Sequence, residues 1–223
     1  MNDVEILRQL RDAYKRQEVS AIVGSGFTKN AYPDAPDWKG MLTELIEKAY
    51  AEDMKDRTVD YFLNRDGYDG VVGTFIKKMG MREALDVYIE QKTPYIERQE
   101  DGFRVVNSGK IITKDDMTTH RMMLNCHWKN VFTTNYDNFL ESASDMFGLG
   151  YVKVTKDYEL QHQSNKLIVK LHGDLVNFNR TVDEPFEFDS DRSRRYVASQ
   201  DDYETYEEQH NAFSIYVTLR AHF

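Results

Sequence analysis

Three short polar segments of this chain carry side chains able to bind and activate a small molecule. Gly24-Ser25-Gly26-Phe27-Thr28 offers backbone amides and hydroxyls. Glycines at such a turn let a backbone approach a pyrophosphate whose charge the amides neutralise. Thr133-Thr134-Asn135-Tyr136-Asp137 places an amide and a carboxylate two residues apart. Asn135 can hold a ribose hydroxyl or a water, and its chemistry is orientation. Asp137 can bind a ribose hydroxyl or cap a following helix. Leu171-His172-Gly173-Asp174 brings an imidazole, the usual acid/base group near neutral pH, with Gly173 beside it for close approach.

Each segment also has a plainer reading. The first is an ordinary glycine turn, since Lys29 stands where the dinucleotide fingerprint G-x-G-x-x-G wants its third glycine. Asp137 can be a cap and nothing more. A lone histidine is more often structural, which is how His120, His127, His162, His210 and His222 are read.

The elements that must position these groups are legible in the hydrophobic pattern. The apolar runs 19–23 (VSAIV), 130–134 (NVFTT) and 167–171 (LIVKL) each stop at one of the three polar segments and read as buried strands. The run 151–155 (YVKVT) alternates like an edge strand. Helical spacing appears over 4–15, 38–51 and 138–147, the last closed by Gly148. Residues 53 to 127 read as a mostly helical insertion, with 102–113 a loop holding short extended pieces. Residues 177–196 read as loop and 201–223 as a long helix, acidic and then apolar. The pattern predicts one α/β domain over 1–223, a doubly wound, mostly parallel Rossmann-like sheet with a helical insertion. In such sheets ligands sit beyond the carboxyl ends of the strands, so the three segments meet at one edge.

Composition sets further bounds. The 223 residues are 40% hydrophobic and 30% charged, enough to bury a core. A net charge of -9 argues against direct nucleic acid binding, which rests on clustered Lys and Arg. The single cysteine, Cys126, excludes both an internal disulfide and a cysteine-rich zinc site, and fits a cytoplasmic setting. No signal peptide or membrane-spanning run is expected.

GSGFT, TTNYD and KLHGD, in that order, resemble the sirtuin family's glycine-rich NAD loop, its T-x-N-x-D motif and its catalytic histidine-glycine pair. The likeness is greatest to the bacterial sirtuin-like domains that hydrolyse NAD in antiphage defence. Asp37-Trp38 resembles the aspartate-aromatic step of those domains, although Lys39 stands where they carry arginine. The resemblance implies that NAD is the substrate and that Gly24, Ser25, Gly26, Phe27 and Thr28 bind its phosphates and adjacent ribose. Asp37, Trp38, Thr134, Asp137 and Gly173 then belong to the binding pocket. Asn135 orients the attacking water and His172 is the general base. The four cysteines that hold zinc in deacylating sirtuins are missing, so no zinc is expected and NAD hydrolysis is favoured over protein deacylation. A binding module that senses NAD or ADP-ribose without turnover is the third alternative. The resemblance further implies a homo-oligomer, restrained by a C-terminal sensor domain or a partner ATPase. A later strand ending in a Gly-aromatic-Ser motif is expected in related domains, so the chain is expected to be the N-terminal part of a longer protein.

Overall fold

The apolar runs ahead of the three polar segments form the centre of a parallel sheet. In the computed structural model, which describes residues 2–80, 82–155, 166–175 and 196–205, four strands lie in the order β1-β5-β7-β6. They are β1 (Ala21–Val23), β5 (Val131–Thr133), β6 (Val152–Val154) and β7 (Leu167–Lys170), and every pairing is parallel. The central strands β5 and β7 are buried along their whole length, which explains why they read as unbroken apolar runs rather than as alternation. Strand β6 does lie at an edge. The fold is α/β and Rossmann-like, as the pattern predicts.

Register aligns Ala21, Val131 and Ile168 on one face and Ile22, Phe132 and Val169 on the other. The first face is covered by α5 (Thr118–Leu124) and α6 (Phe139–Phe147), which supply Leu124, Phe139, Leu140 and Ala143 to a shared core. Helix α6 ends at Gly148, whose φ of 62° is the left-handed conformation that stops a helix.

The helical layer is built from α2 (Trp38–Ala49), α3 (Val59–Met79) and α4 (Glu83–Lys92). Leu42, Leu45 and Ile46 of α2 meet Phe62, Val72 and Phe75 of α3 in a second core, which also takes in Tyr136. Residues 59–79 are two helical stretches joined at a break at Gly67, where φ is 72°. The region 53 to 127 is helical over α3, α4 and α5, and the extended pieces expected over 102–113 belong to a sheet that also takes in an unexpected strand at 96–99. This sheet is antiparallel and consists of β2 (Ile96–Gln99), β3 (Gly102–Val105) and β4 (Ile111–Ile112). The reason is tertiary. Ile96, Val105 and Ile112 are buried against the core beside α5 and α6, and this fixes a short hairpin whose own alternation is weak.

Helix α1 (Asp3–Lys15) forms where its spacing predicts, capped by the Asn2 side chain, yet none of its residues is buried. Helix α7 (Gln200–Glu204) starts at a capping box made by Ser199 and Asp202. The remainder of the helix expected over 201–223, and nearly all of the loop expected over 177–196, lie outside the described residues. No helix of the described residues is long and apolar enough to cross a membrane.

Candidate functional site

Beyond the carboxyl ends of β1, β5 and β7 lies a cavity of about 270 Å³. It collects residues from six separate parts of the chain, four of which hold predicted residues. Gly24 and Ser25 follow β1, Trp38 opens α2, Thr134, Asn135 and Asp137 follow β5, and His172 follows β7. The remaining predicted residues lie behind or beside it. Thr28 is buried under Asn135, Asp37 caps α2, and Gly26 and Phe27 face a groove on the far side of the loop. Gly173 is not on the cavity wall, but its φ of 92° requires glycine and turns the chain straight after His172.

The glycine turn runs into a 3-10 helix (Ser25–Asn30) rather than a plain loop, with Gly24 at its N-cap. Gly24 has φ of -113°, so backbone conformation does not demand glycine there. A Cβ at Gly24 would touch only Thr134 Oγ1, at 3.9 Å, and one at Gly26 would meet nothing within 4 Å. The protein's own packing therefore leaves both positions open. Close approach by a ligand is the physical use for that space.

Asn135 is held by a chain of directed hydrogen bonds. Thr28 Oγ1 donates to Asp137 Oδ2 at 2.7 Å, so it accepts from Asn135 Nδ2 at 3.1 Å. The backbone N–H of Asn135 donates to Thr133 Oγ1 at 3.0 Å. This order of donors settles the amide's orientation. Asn135 Oδ1 is then the free atom, and it is buried with no hydrogen-bond partner. A buried acceptor without a donor is costly, on the order of 1–3 kcal/mol, and a ligand hydroxyl or water in the cavity would relieve it.

Asp137 does two structural jobs. One oxygen accepts from Thr28 and the other from the N–H of Phe139, which fixes the entry to α6. Burial pushes its carboxyl up, and the nearby Lys170 ammonium opposes that shift. Lys170 is the functional residue that sequence reasoning missed. It ends β7, its side chain is fully buried, and its Nζ donates to the carbonyls of Tyr136 and Asp137. It also pairs with Asp174 at 2.8 Å and Glu141 at 3.3 Å. Burial pulls Lys170 down, but Glu141, Asp174 and Asp137 together outweigh it and hold the ammonium charged. Lys153 reaches Asp174 from β6. One cation thus ties the loop bearing Asn135 to the loop bearing His172. The signal was present in the sequence: a lysine inside the apolar run LIVKL is out of place unless paired.

Tyr203 was also missed. Its ring stands edge-on to His172 with centroids 5.6 Å apart, and it lines the cavity. The segment that carries it is anchored from two sides. Arg82 of the helical layer donates to Asp202 at 2.6 Å and to the Tyr196 carbonyl at 2.6 Å. Tyr136 Oη donates to the Val197 carbonyl at 2.8 Å. Nothing local near position 203 reveals this placement.

The outer rim is more exposed. Asp37 accepts from the N–H of Gly40 and pairs with Lys29 at 2.7 Å, and these contacts hold its carboxyl below the usual range. The residue that breaks the glycine fingerprint therefore ties the glycine turn to the start of α2.

Residues 129–222 match the family model of the SIR2-like domain. This segment is sirtuin-like. The SIR2-like match takes in Asn135 and His172 and associates their cavity with NAD-related chemistry, while the glycine turn at Gly24 lies ahead of the matched residues. No curated protein matches the chain. Among the described residues, no group of three or more His, Cys, Asp and Glu side chains is placed to hold a metal ion.

Proposed function

We propose that the chain is an NAD glycohydrolase, releasing nicotinamide and ADP-ribose. The observation that carries this reading is the buried, unpartnered Oδ1 of Asn135 in the cavity that His172 shares. The cavity falls slightly below the range of about 300–1,000 Å³ usual for a whole small-molecule site, so it suits the nicotinamide-ribose half of the dinucleotide. The open space over Gly24, on the cavity wall, is where the pyrophosphate approaches the backbone.

In this mechanism the bond between ribose C1′ and the pyridinium nitrogen breaks, and its electron pair leaves with neutral nicotinamide. Asn135 Oδ1 accepts a hydrogen bond from the attacking water or the adjacent ribose hydroxyl, positioning it below C1′. As the water oxygen bonds to C1′, His172 takes its proton. Trp38, Met41 and Tyr203 line the cavity and limit bulk water around a centre with oxocarbenium character. The antiphage role, as an NAD-depleting effector, comes from the resemblance of the motifs to such proteins.

The test is nicotinamide release from NAD by the purified chain with no acyl peptide present. His172→Ala and Asn135→Ala should each lower the rate by about 100-fold or more. Equal rates in the parent and both variants would refute the mechanism. Release that requires an acyl-lysine peptide would make the chain a deacylase instead.

A further inference from the structure

Two buried polar atoms on the cavity wall have no hydrogen-bond partner. One is Asn135 Oδ1, and the other is the hydroxyl oxygen of Thr93. Thr93 is only 4% exposed. Its main-chain groups are both engaged: the N–H donates to the Ile89 carbonyl at 2.9 Å, and the carbonyl accepts from Asn107 Nδ2 at 3.2 Å. The hydroxyl is thus the one polar group of the residue left to meet a ligand. Stranding it costs stability, since a buried donor without a partner forfeits the hydrogen bonds it made to water.

The backbone fixes Thr93 against the site at both ends of a short segment. Thr93 closes α4 with an extended backbone, φ -75° and ψ 124°, the conformation that a following proline imposes. Pro94 also lines the cavity. Two residues beyond Pro94, Ile96 and the Asn138 side chain exchange a pair of hydrogen bonds, both 2.8 Å long. Asn138 follows Asp137 directly, so the segment 93–96 is bound to the same turn that carries Asn135. Thr93 and Asn135 therefore line one small cavity, the first from the helical layer and the second from the sheet.

We propose that Thr93 is a substrate-recognition residue, whose hydroxyl binds the carboxamide of the nicotinamide ring. The ligand's identity rests on the glycohydrolase reading, whereas the orphaned hydroxyl does not. Asn135 Oδ1 can only accept, which suits a ribose hydroxyl or a water, but the Thr93 hydroxyl both donates and accepts. Apart from the ribose, the carboxamide is the one hydrogen-bonding group on the nicotinamide side of the scissile bond. Its C=O and NH2 answer a hydroxyl in either sense. Asp137 is less free to serve, because both its oxygens already hold partners, Thr28 and the N–H of Phe139. Trp38 and Met41 give the ring an apolar wall. Thr93 lies ahead of residues 129–222, so recognition of the leaving group is supplied by the helical layer and not by the sirtuin-like segment.

The test titrates nicotinamide into the purified chain, followed by protein-detected NMR, with pyridine, the same ring without the carboxamide, as the control. Thr93→Val keeps the branched shape and removes the hydroxyl, so it should weaken nicotinamide binding about three- to ten-fold. Thr93→Ser keeps the hydroxyl and removes the methyl, so its affinity should stay within about two-fold of the parent's. Pyridine should bind the parent and both variants alike. Thr93→Val should also raise the thermal midpoint of the ligand-free protein, because it removes a stranded hydroxyl. A residue that only packs would give the reverse order, with serine the damaging change. Equal nicotinamide affinity in the parent and Thr93→Val would overturn the proposal. So would a loss shared by pyridine, or no nicotinamide binding to the parent. Binding that depends on Thr93, without nicotinamide release from NAD, would retire the glycohydrolase reading and leave the recognition site standing. Release from NAD with unchanged nicotinamide binding in Thr93→Val would do the opposite.

Discussion

The carboxyl ends of β5 and β7 and the outer edge of β1 belong to one sheet but are finished in opposite ways. At the first, polar groups are drawn inward and matched to one another. Lys170 is surrounded by Asp174, Glu141 and two carbonyls, and Asn135, Thr28 and Asp137 form a directed chain. At the second, apolar and main-chain groups face outward, and no described residue pairs with them. A buried polar network fixes geometry because each member is costly to strand. The exposed side chains along β1 carry no such constraint.

The largest break in this contrast should come from Lys170→Met. It strands Glu141 and Asp174 in the interior and should cost about 3–5 kcal/mol in urea denaturation. Adding Glu141→Gln and Asp174→Asn to it should recover most of that loss. A triple variant no more stable than the single one would mean that Lys170 does not serve as their counter-charge.

The next effect concerns His120, which sits beneath the glycine turn with its ring 4.7 Å from that of Phe27. Neither ring nitrogen has a hydrogen-bond partner, and burial pushes the imidazole down to about 4. The unfolded chain therefore takes up this proton first. Stability is complete above about pH 6.5 and falls as pH drops towards 4, by up to about 3 kcal/mol. Asp86, which burial pushes up to about 6, acts in the opposite sense: its contribution is lost as pH rises through that value. Comparing the parent with His120→Phe cancels Asp86. The variant should lack the part of the acid slope between pH 6.5 and 4, and an unchanged slope would sink the assignment.

Tyr203→Ala should weaken NAD binding about five-fold by calorimetry, the loss of roughly 1 kcal/mol of aromatic contact. Stability should change little, because the segment is anchored through Arg82 and Tyr136 rather than through the exposed Tyr203 ring. The smallest effect sharpens the contrast most. Leu10→Ser on the open flank should alter unfolding free energy by less than about 0.5 kcal/mol, whereas Leu45→Ala in the helical layer should cost about 2–5 kcal/mol.

The parallel strands were legible because unbroken apolar runs ending in Gly or Asn have few other uses in a chain this size. The glycine turn, Asn135 and His172 were legible because strand ends on one side of such a sheet must converge. The hairpin at 96–112 was not, since its strands are two to four residues long and depend on core contacts for their shape. Lys170 was visible as an oddity but not as a clamp, because its partners Glu141 and Asp174 are identified only by the packing of α6 against β7.

Local sequence thus determined which segments become the parallel strands, where each stops and which polar side chains stand at those stops. Those properties follow from hydrophobic period, glycine and capping chemistry, all short-range. Tertiary structure alone decided that Asn135 Oδ1 is the atom left free, that Tyr203 faces His172, and that α1 stands away from β1. Each depends on contacts between residues far apart in the chain, and local periodicity carries no record of those distances.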